Sequence, residues 1–264
     1  MMNSFLYSPE ISSFNLFGFE IYFYGIVLAF AVLVGLLTAH KLYKSFYGNE
    51  GLFFIYDYSP YLILSGIFGA RLYYCLVNLP YYMERPLEIF NIRQGGLSVH
   101  GMIIAGILAL WILAKYKKVS FLKLADVYLC SSLLAQGIGR WGNFFNNEAF
   151  GYPTNGNWGL FIPVSNRPEE FANFQYFHPT FLYESLLDFA GFFVLLFLFG
   201  KFNKKSGLIA CCYLVLYSLI RIFVESFRVD SVLNISGCPV ATVMSIILTV
   251  LGIISTVYIA RKSN

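Results

Sequence analysis

Residues 240–259 read VATVMSIILTVLGIISTVYI, a segment without a single charged side chain. An α-helix rises about 1.5 Å per residue, so a helix of this length reaches about 30 Å, the thickness of the hydrocarbon core of a bilayer. A surface helix of a soluble protein carries charged or polar residues along one face, and this segment has no charged face to turn toward water. The segment therefore predicts a transmembrane helix.

Six further segments have a similar character. Together they predict spans at residues 21–39, 59–79, 97–114, 121–138, 181–199, 208–227 and 240–259. Hydrophobic residues make up 58% of the chain and charged residues only 12%, about half the charge of an average soluble protein. We therefore expect an all-α polytopic membrane protein with seven transmembrane helices, forming a single integral membrane domain over residues 1–264, and we exclude a soluble core.

The lysines predict the orientation of these spans. If the seven predicted spans cross the membrane in alternating directions, all ten lysines lie on one side of it, and the loops on the opposite side contain none. Under the positive-inside rule the lysine side is cytoplasmic, which puts the N-terminus outside and the C-terminus in the cytoplasm. The net charge of +4 then has a topological origin, and since no helix has a basic face we expect no nucleic-acid partner. No basic stretch precedes the first apolar segment, so we expect the first span to be retained.

Ionisable residues gather at one predicted depth, the outer half of the membrane. Seven of the eight arginines lie in outer loops or in the outer halves of helices. A charge at the bilayer centre costs about 2.5–3.5 kcal/mol even on lenient scales, so such residues indicate a functional site. The planar arginine fork suits phosphate and carboxylate, which predicts a pocket for an anionic lipid head group. The residues expected at this level are Tyr24, Arg71, His100, Arg140, Arg221 and Glu225.

One helix face and one loop carry most of this pattern. Tyr217, Arg221, Glu225 and Arg228 recur at spacings that place them on one face of the sixth span. Residues 139–151 read GRWGNFFNNEAFG and open a long outer loop, predicted over 139–179. Its glycines let backbone amides approach a ligand closely. The polar groups of this stretch are Arg140, Asn143, Asn146 and Glu148.

Residues 139–151 resemble the signature of the prolipoprotein diacylglyceryl transferases, G-R-x-G-N-F-x-N-x-E-x-x-G, at every fixed position. Shorter pieces also resemble that family, namely Tyr24-Gly25, Gly69-Ala70-Arg71, the stretch GGLSVHG at 95–101, His178-Pro179, Tyr183-Glu184 and the polar face at 217–225. Two positions differ. Met102 replaces a second glycine, and Val229 stands where a proline is common.

The resemblance implies a reaction. A diacylglyceryl group moves from phosphatidylglycerol to the thiol of the lipobox cysteine of a preprolipoprotein, in the bacterial inner membrane and toward its outer leaflet. Sulfur attacks the glycerol carbon, a thioether forms and glycerol phosphate leaves. The partners implied are phosphatidylglycerol, the lipobox segment and the surrounding membrane lipids.

The resemblance also implies roles for residues. Arg140 is expected to bind the phosphate, with Arg221 as a second clamp. His100 is expected to be the general base, because an ordinary histidine pKa of about 6.5 suits proton transfer near neutrality; alternatively, the two arginines alone lower the pKa of the attacking thiol, about 8.5 when free. Further substrate-binding residues are Asn143, Asn146, Gly151, Tyr24, Tyr217 and Arg71. Supporting partners are Glu148, Glu225 and Arg228. Apart from the resemblance, Glu184 and Asp188 are four residues apart and face one way, which suits a structural role; for Glu184 the match of Tyr183-Glu184 to the family leaves a functional role open.

No cofactor or metal is expected. The five cysteines form no CxxC pair and the four aspartates are widely separated, unlike metal-ligand clusters. A metal-dependent lipid phosphotransferase, which needs clustered aspartates, is one alternative function. A transporter is the other, and it would require a polar file across the membrane and matched broken helices.

Overall fold

The computed structural model describes residues 6–92, 95–155, 158–229, 234–235 and 238–262. Within these residues, seven helices are long and apolar enough to span a membrane, which confirms the predicted fold class and makes the chain a multi-pass membrane protein. They are α1 (Phe23–Tyr47), α2 (Phe53–Val77), α4 (Val99–Tyr116), α5 (Phe121–Asn146), α6 (Thr180–Phe202), α7 (Leu208–Glu225) and α8 (Val240–Lys262). The short helix α3 (Leu79–Glu84) follows α2.

Short strands, which the sequence analysis did not predict, lie before α1, between α5 and α6, and between α7 and α8. They are β1 (Leu6–Tyr7), β2 (Ser13–Leu16), β3 (Phe19–Tyr22), β4 (Leu160–Phe161), β5 (Tyr176–Phe177), β6 (Asn234–Ile235) and β7 (Cys238–Pro239). β4 pairs in parallel with β1 and antiparallel with β5, whereas β2 and β3 form a hairpin, as do β6 and β7. Because β3 runs straight into α1, the hairpin fixes where that helix begins.

The helix α5 is longer than predicted. It continues to Asn146, two turns past the expected end at 138, so the loop begins at 147 rather than 139. Gly142 is not a helix breaker here: a Cβ at this position would lie 2.7 Å from the ring of Tyr24, so the missing side chain makes room for that ring. The true turn follows the helix, where Asn147 and Ala149 have φ angles of 54° and 56°.

The chain divides into two compact units, one formed by Met1–Ala39 with Ala125–Asn264 and the other by His40–Leu124. In the first unit, an apolar core anchors the long loop to the start of α6. Its buried side chains are Phe150, Leu160, Ile162, Phe177, Phe181 and Leu182. At the other end of α6, the buried Asp126 of α5 accepts hydrogen bonds from the backbone N–H groups of Gly207 (2.7 Å) and Ala210 (2.8 Å). This carboxylate caps the first turn of α7, whose N–H groups have no helical partner.

In the second unit, α2 and α4 cross at glycines. A Cβ on Gly101 would collide with the backbone oxygen of Gly69, and one on Gly69 would collide with Ala105. Small residues let two membrane helices approach until their backbones touch. The crossing therefore fixes the first turn of α4, which carries His100.

Candidate functional site

Four charged side chains from three helices form a continuous ion network in the first unit. Arg140 Nη2 on α5 lies 2.7 Å from Glu184 Oε1 on α6. The other oxygen of Glu184 lies 3.4 Å from Arg221 Nη1 on α7. Arg221 Nη2 in turn lies 2.6 Å from Glu225 Oε2, one helical turn further along. One carboxylate thus joins two guanidinium groups that are 81 residues apart in the chain.

Helix periodicity explains why these groups meet. Arg221 and Glu225 are four residues apart on α7, so they share a face. Tyr217, one turn earlier, continues that face, and its ring stacks on Tyr213 at 5.7 Å with an interplanar angle of 3°. The Tyr213 hydroxyl accepts a hydrogen bond of 2.9 Å from Gln136 Nε2 of α5. The polar face of α7 is therefore directed toward α5 and α6 and not toward lipid.

Burial distinguishes the acids from the arginines. The side chains of Glu184 and Glu225 are 2% and 4% exposed, whereas those of Arg140 and Arg221 are 21% and 18% exposed. Arg140 Nε is buried and has no hydrogen-bond partner among the described residues. The guanidinium groups thus keep accessible edges and an unused donor, which is what a site for an anionic ligand requires.

The structure brings together three of the charged residues singled out in the sequence, Arg140, Arg221 and Glu225. It adds Glu184, for which the sequence left a structural and a functional role open, and which is the carboxylate that both arginines share. A signal for it was present in the sequence. Glu184 lies inside an apolar span. It and Asp188 are the two acidic residues of α6, so only these two could neutralise arginines from the neighbouring helices.

Asp188 lies one turn below Glu184 on α6 and is completely buried. Neither of its carboxyl oxygens has a hydrogen-bond partner among the described residues. Its electrostatic neighbours are Glu184, Arg140, Arg221, Tyr213 and Tyr217. An acid in this setting is costly to ionise, because burial removes its hydration and no hydrogen-bond donor among the described residues replaces it.

The signature residues border this network. Tyr24 on α1 interacts electrostatically with Arg140 and with Glu148. Asn143, one turn after Arg140 on α5, donates a hydrogen bond of 2.8 Å to Glu148 Oε1. Asn146 is the last residue of α5 and is partly buried. Tyr24 and Asn143 thus share Glu148 as an electrostatic partner.

Gly151 and Arg228 have a different setting from the one expected. A Cβ on Gly151 would lie 2.5 Å from Phe227 O and 2.8 Å from the Cβ of His178, so this buried glycine allows three chain segments to touch. Arg228 lies beyond the end of α7 at Glu225, in an isolated bridge with Gly151. The prediction that Arg228 continues the polar face of the helix is wrong, because the helix stops one turn earlier.

Arg71 belongs to the second unit, where backbone carbonyls use all five of its N–H donors. Nε donates to Ile89 O (2.8 Å), Nη1 to the oxygens of Gly95 (2.9 Å) and Gly96 (3.1 Å), and Nη2 to those of Glu88 (2.5 Å) and Asn91 (3.2 Å). The rings of Tyr74 and Tyr82 lie 6.0 and 5.3 Å from its guanidinium carbon. With no donor left for a substrate, the predicted substrate-binding role of Arg71 conflicts with this geometry, which gives it the role of a loop anchor.

His100 also belongs to the second unit. It lies in the first turn of α4, its side chain is exposed, and its ring stacks on Tyr73 with a centroid distance of 6.1 Å. Ser98 N donates to Ala70 O at 3.0 Å, so the segment leading to His100 is tied to α2 next to Arg71. The histidine is held at a defined place while its imidazole stays accessible.

Within the described part of the chain, no three His, Cys, Asp or Glu side chains are grouped as metal ligands. All five cysteines are free thiols. The charged network pairs acids with arginines, and an acid that neutralises an arginine is a poor ligand for a cation.

Known proteins resemble this chain over most of its length. A family model described as prolipoprotein diacylglyceryl transferase matches residues 12–258. A protein of Synechocystis sp. named phosphatidylglycerol–prolipoprotein diacylglyceryl transferase is 42% identical over 257 residues, covering 96% of this chain and 90% of that protein. A protein of Trichormus variabilis with the same name is 43% identical over 246 residues, covering 90% and 86%. The chain therefore belongs to the prolipoprotein diacylglyceryl transferase family.

Proposed function

We propose that this protein transfers the diacylglyceryl group of phosphatidylglycerol to the cysteine thiol of a prolipoprotein. The observation that carries the proposal is the pair of arginines sharing one carboxylate at membrane depth. Relatives covering nine-tenths of the chain are named for this reaction. A lipid phosphodiester is the anion that such a pair would meet in a bilayer.

Arg140 and Arg221 stabilise the leaving group in this reaction. The bond between the glycerol carbon and the phosphate oxygen breaks, and a phosphate monoester gains negative charge as it leaves. Donors already held around that charge lower the barrier, since they need no reorganisation during the reaction. The accessible edges of Arg140 and Arg221, whose side chains are 21% and 18% exposed, supply such donors.

The thiol must lose its proton as the sulfur–carbon bond forms. We assign proton acceptance to His100, whose exposed imidazole lies in the first turn of α4. The imidazole takes the proton from sulfur as the sulfur–carbon bond forms, and the leaving glycerol phosphate takes up one proton, so protons and charge balance over the turnover. The alternative without a histidine is that the two arginines alone hold the thiolate.

Other residues position the lipid in this proposal. Tyr24, Tyr217, Asn143 and Asn146 contact its polar oxygens. Glu148 and Glu225 orient the donors, because each is a partner of a substrate-binding side chain. For Gly151 we propose close loop packing in place of substrate contact.

An apolar groove of about 370 Å³ supports a lipid substrate. It is lined by Ile26, Val27, Phe30, Ile138, Trp141 and Phe189. Ile138 and Trp141 flank Arg140 along α5, and Val27 follows Tyr24 by one turn of α1. The groove belongs to the same unit as the arginines and is suited to an acyl chain.

We further propose that the protein lies in the bacterial inner membrane with its site toward the outer leaflet. The lysine distribution supports this orientation. In it, the start of α6, which carries Glu184, lies on the side from which a secreted prolipoprotein would arrive.

The test is reconstitution. Purified protein is placed in vesicles containing phosphatidylglycerol, a lipobox peptide is added, and mass spectrometry is used to look for the mass of one diacylglyceryl group on the peptide. Matched controls replace the peptide cysteine by serine or the lipid by phosphatidylethanolamine, whose head group has no net charge. Modification only with the cysteine peptide and the anionic lipid is expected; no modification with any lipid would overturn the proposal.

A further inference from the structure

Glu184 raises a question that the proposed reaction leaves open. It contacts both arginines, at 2.7 and 3.4 Å, so it lies between the two guanidinium groups that a phosphodiester would bind. An arriving phosphate must draw one or both guanidinium groups away from this carboxylate. Glu184, with a side chain only 2% exposed, would then be a buried charge without its partners.

Asp188 is the one acid on α6 placed to compensate. It is four residues from Glu184, so the two side chains lie on the same helix face about one turn apart. It is 0% exposed and its oxygens have no hydrogen-bond partner among the described residues. The mechanism gives it no task, and an acid buried at membrane depth calls for one.

The charges of the network indicate the form of Asp188. Arg140 and Arg221 contribute two positive charges, and Glu184 and Glu225 contribute two negative charges. These four cancel, so an ionised Asp188 would leave one uncompensated negative charge in the interior. The remaining groups near Asp188, Tyr213 and Tyr217, are phenols that add no positive charge. The neutral acid is therefore the form that fits.

We propose that Asp188 is a positioning residue whose neutral carboxyl group donates a hydrogen bond to Glu184 when a lipid phosphodiester takes over Arg140 and Arg221. The proton stays within the carboxyl pair, no other bond changes, and no proton is needed from outside. Two carboxyl groups that share one proton tolerate close approach, whereas two carboxylates repel. This inference rests on the proposed function, because it presumes the phosphodiester site.

Two variants separate the hydrogen bond from packing. Asp188→Leu keeps the branched shape with four side-chain heavy atoms but has no donor, and it should still fold, because an apolar replacement of a buried charged group is often neutral or stabilising. We expect it to bind short-chain phosphatidylglycerol about tenfold to a hundredfold more weakly in calorimetric titrations. Asp188→Asn keeps a neutral donor and should restore binding to within about threefold.

A pH series provides a readout that packing cannot supply. Raising the pH from about 7 to about 10 should weaken binding to the wild type more than to Asp188→Asn, because only the acid can lose its donor proton. The inference would be overturned if Asp188→Leu bound phosphatidylglycerol as tightly as the wild type does. It would also be overturned if Asp188→Asn bound the lipid as weakly as Asp188→Leu does. If wild-type protein binds and transfers lipid while Asp188→Leu does the same, only this inference fails; if wild-type protein binds no phosphatidylglycerol, the proposed function itself fails.

Discussion

Two regions of this molecule place arginine in membrane-spanning helices, and they use it in opposite ways. On α5 and α7, Arg140 and Arg221 are paired with carboxylates and each keeps an accessible edge. On α2, Arg71 gives every donor to a backbone carbonyl and is 8% exposed. The same side chain therefore forms an exchangeable anion site in one region and a fixed loop anchor in the other.

The difference lies in the partners. A carboxylate on a side chain can rotate away when a competing anion arrives, so its arginine remains available to a ligand. A backbone carbonyl cannot leave without unfolding its loop, and an unpaired buried carbonyl is costly. The partners of a buried arginine thus indicate its role better than its depth in the membrane does.

The largest effect should come from breaking the anion site. Arg140→Gln removes the charge and the donors that face the leaving phosphate, so we expect transfer to the lipobox peptide to fall about 100-fold to 1,000-fold. Thermal unfolding should still be cooperative. The matched control is Arg85→Gln, because the Arg85 side chain is 57% exposed, and its activity should stay within about twofold. Equal activity of Arg140→Gln and wild type would remove Arg140 from the phosphate site.

Weakening the loop anchor formed by Arg71 should be detected as a loss of stability and as faster hydrogen exchange. Arg71→Lys keeps the charge, but an ammonium group has three donors and cannot reach five carbonyls. We expect a stability loss of about 3 kcal/mol, since two or more hydrogen bonds to a charged group disappear. Hydrogen exchange in Pro86–Phe90, which includes two of its carbonyl partners, should become faster.

Arg140→Lys is the control for that experiment, because it makes the same chemical change in the other region. Its exchange in Pro86–Phe90 should match the wild type. Unchanged exchange in Arg71→Lys would mean that the carbonyl contacts do not hold the loop.

A smaller effect is expected at Asp126, a buried carboxylate whose partners are backbone N–H groups instead of an arginine. Asp126→Asn removes the charge that accepts from Gly207 and Ala210 at the start of α7. Loss of a helix cap costs about 0.5–2 kcal/mol, which thermal unfolding can resolve. Asp57→Asn, at an exposed position on α2, should change stability by less than about 0.5 kcal/mol. If the two variants are equally stable, the cap contributes nothing.

The smallest effect concerns His178, which lies just outside α6. Partial burial lowers its pKa below the ordinary value of about 6.5, and its Nδ1 lies 3.1 Å from the Tyr183 hydroxyl. A lowered pKa in the folded state means that the unfolded chain binds the proton more readily, so stability should fall as the pH drops below about 6.5. Melting temperatures at about pH 7.5 and 5.5 should differ less in His178→Gln than in the wild type. An equal difference in both proteins would exclude His178 as the source.

Much of this arrangement could be predicted because it depends on local sequence. Span length and hydropathy predicted the seven helices, and the spacing of Arg221 and Glu225 predicted their common face. The end of α5 was predicted wrongly, because Gly139 and Gly142 are typical of a turn. In the structure Gly142 is helical, and its missing side chain makes room for the Tyr24 ring. Arg71 was assigned to substrate because a sequence does not show which backbone carbonyls surround a side chain. Glu184 was underrated for the same reason, since its partners come from two other helices.

The ion network also has a consequence for biogenesis. Arg221 and Glu225 lie on one helix and can enter the bilayer as a neutral pair. Arg140, in contrast, is synthesised before α6 has delivered Glu184, so until the next span arrives its guanidinium group must reach the head-group region through its long side chain. Assembly of α5 against α6 is thus coupled to neutralisation of Arg140, and loss of Glu184 would first appear as slow or incomplete membrane integration.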